Sequence, residues 1–173
     1  MDGIHNGLLN SISVVCNTDF FEESIQKLEI VKKDIRLCLH LNLVEGKPVS
    51  SETAVNKIIG ENAEFKYSFL TLWLKYVVSS NTEKLRLKEQ VKLEIENQIK
   101  KYKSVFDADY PIRIDSHMHF HMIPFVFDCI LELSEKYKIQ YIRIPYELKY
   151  VSYSTLSNWF SMNLVKNILD NVS

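Results

Sequence analysis

Four glycines, four prolines and three cysteines in 173 residues leave little material for a loop-rich or disulfide-stapled fold. Cys16, Cys38 and Cys129 are odd in number, far apart and set among Val, Leu and Ile. They read as reduced core thiols, and no CxxC pair suggests zinc or thiol redox chemistry. A cytoplasmic location is the default that follows. No stretch approaches the roughly 18 apolar residues of a membrane span, and the N-terminus lacks a basic region followed by an apolar run. An excess of one charge is lacking too. With 21 Lys plus Arg against 22 Asp plus Glu, no basic field would collect nucleic acid or anionic lipid, so nucleic acid is not an expected partner. What remains is an ordinary globular composition, 46% hydrophobic and 25% charged. It suffices for one domain with a real core, slightly short for the larger single-domain barrels.

The apolar pattern alternates between two periods. Ser11–Asn17 is a short β-branched run, and Phe20–Lys33 follows with Phe21, Ile25, Leu28 and Val31 at helical spacing. Ile35–Leu43 predicts a strand with Arg36, Cys38, His40 and Asn42 on one face and five Ile and Leu residues on the other. His40 therefore points away from the leucine face. Glu45–Pro48 has turn chemistry, and Val49–Asn62 reads as a surface loop. Tyr67–Val77 is a dense apolar block, better suited to core than to stacking on a sugar, with a subunit contact as the alternative. Thr82–Phe106 carries Leu87, Val91, Ile95, Ile99 and Tyr102 at steps of three or four and predicts a long amphipathic helix. A strand at Ile112–Ser116, a helix at Pro124–Tyr137 opened by proline, a strand at Ile139–Ile144 and a helix at Ser154–Asn171 complete the pattern. Strands alternating with helices imply βα units around a parallel sheet, either doubly wound or a barrel.

Four of the five histidines fall in two strand-end segments. His117, His119 and His121 alternate, so an extended backbone would send all three rings from one face, about 7 Å apart. Imidazole is the commonest side-chain metal ligand, and ligands in parallel α/β folds bind at the carboxyl ends of strands. A polar loop with histidines satisfied by backbone carbonyls is the bland alternative. For His40 alone, a satisfied core or edge histidine is the commoner case.

These segments resemble a known family. Leu39–Leu43 with Gly46, Lys47 and Pro48 is similar to the segment "GLHLNLT.G.P" of the YdjC-like (chitooligosaccharide deacetylase) family, and Ile114–His121 is similar to its "HIDSHQHVH". Asp2–Ile4 with Gly7 and Ser11–Asn17 resembles "N.GI...G..TS.S.MVN". Glu94 and Gln98 fall on "EL..QI", and Tyr141–Glu147 resembles "VR.P.E". The likeness covers residues 2 to 147 in order.

The resemblance implies a distorted (β/α) barrel with mainly parallel strands, related to polysaccharide deacetylases, and hydrolysis of N-acetyl groups on sugars or oligosaccharides. It implies a divalent ion, Mg²⁺ with Zn²⁺ as the alternative, held by His40 and His117. Asp115 and His121 would take catalytic roles. Asn42, His119, Arg143 and Glu147 would lie at the substrate, with a plain surface ion pair as the alternative for Arg143 and Glu147. The partner implied is an acetylated sugar, together with a second copy of the chain, since such proteins often form homo-oligomers. The family's opening strand, ending in Asp-Asp-Phe-Gly, and its late His-Pro-Gly element have no counterpart in these residues. Residues 1–173 are therefore expected to form a single deacetylase-like domain that is partial at both ends, with doubtful activity by itself. A non-catalytic sugar-binding protein and a metal-binding α/β protein unrelated to sugars are the competing expectations.

Overall fold

A computed structural model describes residues 6–7, 9–28, 35–106 and 110–144. The chain divides into one unit over Met1–Arg143 and another over Ile144–Ser173, of which only Ile144 is described. The helix expected at Ser154–Asn171 lies outside the described residues, as does Glu147.

Four parallel strands form one sheet: β1 (Ser11–Val14), β2 (Arg36–Leu41), β3 (Ile112–Ser116) and β4 (Ile139–Ile142). They lie side by side in chain order. A doubly wound sheet reverses its strand order at a switch point, whereas a barrel adds each strand beside the last. The unreversed order is that of a partial (β/α) barrel. The helices are α1 (Phe21–Leu28), α2 (Phe69–Val78), α3 (Asn81–Lys103) and α4 (Pro124–Tyr137). No helix among the described residues is long and apolar enough to cross a membrane.

Local chemistry explains the boundaries. In α2, Ser68 Oγ accepts the Thr71 amide while Thr71 Oγ1 accepts the Ser68 amide, a reciprocal N-terminal cap. Ser80 caps α3. Pro124 opens α4, and Lys138 closes it in the left-handed region at φ 54°. The α3 residues Leu87, Val91, Ile95, Ile99 and Tyr102 are all buried, as the periodicity requires, and so are Glu94 and Gln98. Leu37, Leu39 and Leu41 fill the core from β2.

Three expectations are corrected. The Val49–Asn62 loop is not purely a surface segment, because Ser50, Val55, Ile58 and Ile59 are buried, and Glu94 and Gln90 of α3 accept amides of the loop. The apolar block at Tyr67–Val77 is only partly core: Phe69 and Leu72 are buried, while Leu70, Leu74 and Val77 are exposed. Amphipathicity at helical period splits the block between two faces. The third correction concerns the histidine run, which is not extended.

Candidate functional site at the carboxyl ends of β1, β2 and β3

The register pairs His40 of β2 with Asp115 of β3. Paired residues of adjacent strands share a face, so the two side chains meet: His40 Nδ1 lies 2.8 Å from Asp115 Oδ1. From β1, Ser13 Oγ donates to Asp115 Oδ2 at 2.7 Å. Three neighbouring strands thus contribute one residue each to a linked row. Burial pushes the Asp115 carboxyl up, but the hydrogen bonds from His40 and Ser13, helped by the charges of His40 and Arg143, outweigh it and hold the carboxyl below its ordinary value. A carboxylate there accepts the Nδ1 proton of His40. This arrangement assigns the neutral ring the tautomer with an unprotonated Nε2.

His117 follows β3 directly, and its ring centre lies 5.8 Å from that of His40, with the ring planes 70° apart. Two residues 77 positions apart in sequence thereby converge. Glu45 Oε1 lies 3.6 Å from His117 Nε2. Among the described residues, no group of three His, Cys, Asp or Glu side chains is arranged to hold a metal ion.

Beyond His117 the chain turns instead of extending. Residues His117–Met122 form a short 3₁₀ segment in which Met118 and His119 take left-handed backbone angles, φ 51° and 56°. Neither is glycine, so each costs on the order of 1–2 kcal/mol. Buried Phe120, His121 and Met122 anchor the strained turn. Phe120 meets the ring of Phe69 edge-on, with centres 6.0 Å apart. The three alternating histidines therefore do not share a face. His121 folds back into the protein, 1% exposed, while His117 stays partly exposed. The ring of His119 sits 6.3 Å from that of His121.

His121 is fully engaged. Ser116 Oγ accepts its backbone N–H at 3.0 Å and lies 2.5 Å from Nδ1, and the carbonyl oxygen of Arg143 lies 2.6 Å from Nε2. One proton assignment satisfies every group: the Ser116 hydroxyl donates to Nδ1, and Nε2–H donates to the Arg143 carbonyl. Burial pushes the His121 pKa down; the carbonyl bond to Arg143 opposes this, but the net shift is downward, favouring the neutral ring. In this arrangement His121 ties the end of β3 to the segment after β4. Arg143 itself is exposed, with its amide bonded to the Ile114 carbonyl.

Asn42, expected at the substrate, uses both ends of its side-chain amide on protein. Its Nδ2 donates to Asn17 Oδ1 and the Glu45 carbonyl, and its Oδ1 accepts the amides of Val44 and Glu45. It shapes the loop that carries Glu45 toward His117. Beneath that loop, Gln98 brackets the Asn42 backbone, accepting its N–H at 3.0 Å and donating to its carbonyl at 2.7 Å. Glu94, wholly buried, accepts the amides of Val49 and Ser50 and a bond from Gln98. Ser13, Glu45 and Ser116 lie within or beside the recognised segments, yet nothing in sequence assigned them partners. The alternation of β1 was the available signal for Ser13, and it needs the sheet register before it can be read.

The matched segments at both histidines agree with comparison to other proteins. The family model described as YdjC-like protein matches residues 1–171. A carbohydrate deacetylase of Thermoanaerobacter pseudethanolicus is 32% identical over 135 residues, covering 78% of this chain and 49% of the relative. One of Clostridium beijerinckii is 27% identical over 98% of this chain and 67% of the relative. The chain thus spans between about half and two thirds of the length of these relatives. The crystal structure of a candidate cellobiose-phosphate cleavage protein from Enterococcus faecalis superposes with a TM-score of 0.60 at 20% identity, over 92% of this chain and 54% of that one, which supports the partial barrel. With the histidine segments, the strand order and the match along nearly its whole length in agreement, the chain belongs to the YdjC-like family.

Proposed function

We propose that this chain contributes part of the active site of a carbohydrate deacetylase, a hydrolase that removes N-acetyl groups from sugars or oligosaccharides. Its kinship with carbohydrate deacetylases supports the reaction class. The observation that carries the site is the convergence of His40 and His117. Two imidazoles bonded at about 2.1 Å to one ion place their ring centres roughly 5–6 Å apart, and these stand at 5.8 Å. Asp115 on Nδ1 of His40 supplies the carboxylate partner that metal-bound histidines usually have, leaving Nε2 for an ion. Imidazole nitrogen is a donor that a divalent cation accepts, and here two of them are available. Nitrogen donors suit Zn²⁺ better than Mg²⁺, which prefers oxygen ligands.

A bound ion would polarise the acetamide carbonyl and acidify a water. The protein groups around it would do the positioning. Asp115 fixes the His40 tautomer, Ser13 fixes Asp115, and Asn42 sets the Glu45 loop beside His117. Exposed Arg143 is suited to hydrogen-bond a sugar. For His121 to move a proton, its bond to Ser116 or to the Arg143 carbonyl would have to exchange for one to substrate or water. His119 would approach the substrate from the strained turn.

Two imidazoles fall short of the three protein ligands usual at a catalytic zinc, which favours one further reading, a sugar-binding protein that does not hydrolyse. The experiment measures Zn²⁺ and Mg²⁺ affinity and acetate release from N-acetylated oligosaccharides, for the chain and its His40→Ala and His117→Ala variants. Metal affinity should fall in both variants, with acetate release by the 173 residues alone near background. Unchanged metal affinity in His117→Ala would remove the shared site. Saturable sugar binding without acetate release, in a version carrying every residue of a full-length relative, would favour the non-catalytic reading.

A further inference from the structure

A second concave site lies at the junction of α2 and α3. It is a cavity of about 220 Å³ lined by Lys57, Lys66, Tyr67, Lys75, Ser79, Glu83 and Leu87. It shares no residue with the histidine site. Glu83 and Gln98 lie on the same helix, 15 residues apart, and at about 1.5 Å per residue α3 separates them by roughly 22 Å. Gln98 is the residue that holds Asn42, so the Glu83 edge of the cavity lies far from the carboxyl end of β2. The Lys66 edge lies closer, because the Phe65 amide donates to the Gly46 carbonyl next to Glu45.

Three lysines line this cavity, with Glu83 as the one carboxylate residue in the lining. Glu83 is already shared, with Lys57 Nζ at 3.2 Å and Arg86 at 3.4 Å. Glu83 also feels the charge of Lys75, but among the described residues neither Lys66 nor Lys75 makes a close ion pair with a lining carboxylate. Ser79 is uncharged and cannot neutralise them; its hydroxyl proton goes to the Lys75 carbonyl at 2.6 Å. The end of α2 and the start of α3 also meet here, and their opposed dipoles roughly cancel, so the lysines set the sign of the field.

We propose that this cavity binds a phosphate-type dianion, either inorganic phosphate or the phosphoryl group of a small phosphorylated metabolite, between Lys57, Lys66 and Lys75. Tyr67 adds a hydroxyl donor, and the volume leaves room for the anion with several waters, each about 30 Å³ in the liquid. Like charges held together without an anion repel one another. Burial first, and then the charges of Lys57 and Lys75, push the Lys66 ammonium below its ordinary value, in the direction this repulsion requires. An anion in the cavity relieves the repulsion and gains charge-assisted hydrogen bonds. The inference does not depend on what the histidines do.

The test is calorimetric titration of the whole chain with inorganic phosphate, with glucose 6-phosphate and with glucose, at constant ionic strength and with EDTA present to exclude metal-bridged binding. Saturable phosphate binding is expected. It should weaken about tenfold or more in Lys66→Gln and in Lys75→Gln, tighten several-fold in Glu83→Gln, and stay unchanged in His117→Ala. Tighter binding of the sugar phosphate than of phosphate would identify an ester as the ligand, and equal affinity would identify the bare anion. The substituted lysines are exposed, and thermal unfolding of each variant checks that the fold is kept. Absence of saturable binding would overturn the proposal, and so would lysine variants that bind like wild type, or a Glu83→Gln variant that binds no better.

Discussion

Two polar networks meet at the end of β2, and they differ in burial and in saturation. On the α3 side, Glu94 and Gln98 are both wholly buried, and their side chains are closed on the Asn42 backbone and on the amides of Val49 and Ser50. On the opposite side, Ser13, Asp115 and His40 form a row that ends at a partly exposed imidazole, with His117 nearby. In the first network both Gln98 amide hydrogens are bonded, both Glu94 oxygens accept, and the side chains are out of reach of solvent, so it is suited to hold structure. Among the described residues the second stops one bond short, at His40 Nε2, and that is where chemistry can begin. Both contain residues that match family segments. Resemblance alone does not separate a residue that builds a loop from one that meets a ligand, whereas counting hydrogen bonds does.

The largest effect that would sharpen this contrast is expected at Glu94. Glu94→Ala leaves the buried Ser50 amide and the half-buried Val49 amide without an acceptor, at about 1–3 kcal/mol for each buried one in such settings. A loss of about 3 kcal/mol, or roughly 6–12 °C in Tm, is expected in thermal and urea unfolding. A loss below about 1 kcal/mol, the low end of that range, would mean that water or another side chain reaches those amides, and the contrast in saturation would fail.

The next effect falls on the open network. Asp115→Asn keeps the size of the side chain but removes the charge that holds the His40 tautomer. Metal affinity, measured by competition with a chelating dye, should drop by about 10- to 100-fold, while Tm moves less than in Glu94→Ala. A larger loss of stability than of metal affinity would place Asp115 with the structural network.

The smallest effect is a pH dependence at His121, a member of neither network. Its folded-state pKa lies below the ordinary histidine value, so the unfolded chain takes up the proton more readily. By linkage its contribution is complete above the unfolded pKa of about 6.5, and it is lost as pH falls from there toward the lower folded value. Chemical unfolding at about pH 7.5 and about pH 5.5, on either side of that unfolded pKa, should show wild type losing more stability than His121→Asn over that interval. Equal losses would mean that the ring is protonated in the native state, with the bonds to Ser116 and Arg143 arranged differently.

Much of the scaffold is legible in the order of residues. The limits of β3 and α4 coincide with the runs Ile112–Ser116 and Pro124–Tyr137, and the five apolar positions named on α3 are all buried. These are local properties: period, a proline at a helix start, and β-branched runs act over a few residues and need no partner. The facing of His40 away from the leucines is legible for the same reason, since it follows from alternation within one strand.

The histidine run shows where local reasoning ends. Alternation implies one shared face only if the backbone is extended, and nothing in the sequence indicates left-handed angles at Met118 and His119, residues that ordinarily avoid them. Tertiary packing decided it. Burial of Phe120, Met122 and His121, with Ser116 and the Arg143 carbonyl to receive the imidazole, outweighs the cost of the turn. The meeting of His40 with Asp115 and of His117 with His40 likewise depends on the register of β2 against β3. The sequence by itself determined the family, the kinds of element and the side chains capable of binding. Which nitrogens remain available, and which are taken up in holding the fold, was decided only when strands 75 residues apart came into contact, because hydrogen-bond saturation belongs to the assembled sheet and not to any segment of the chain.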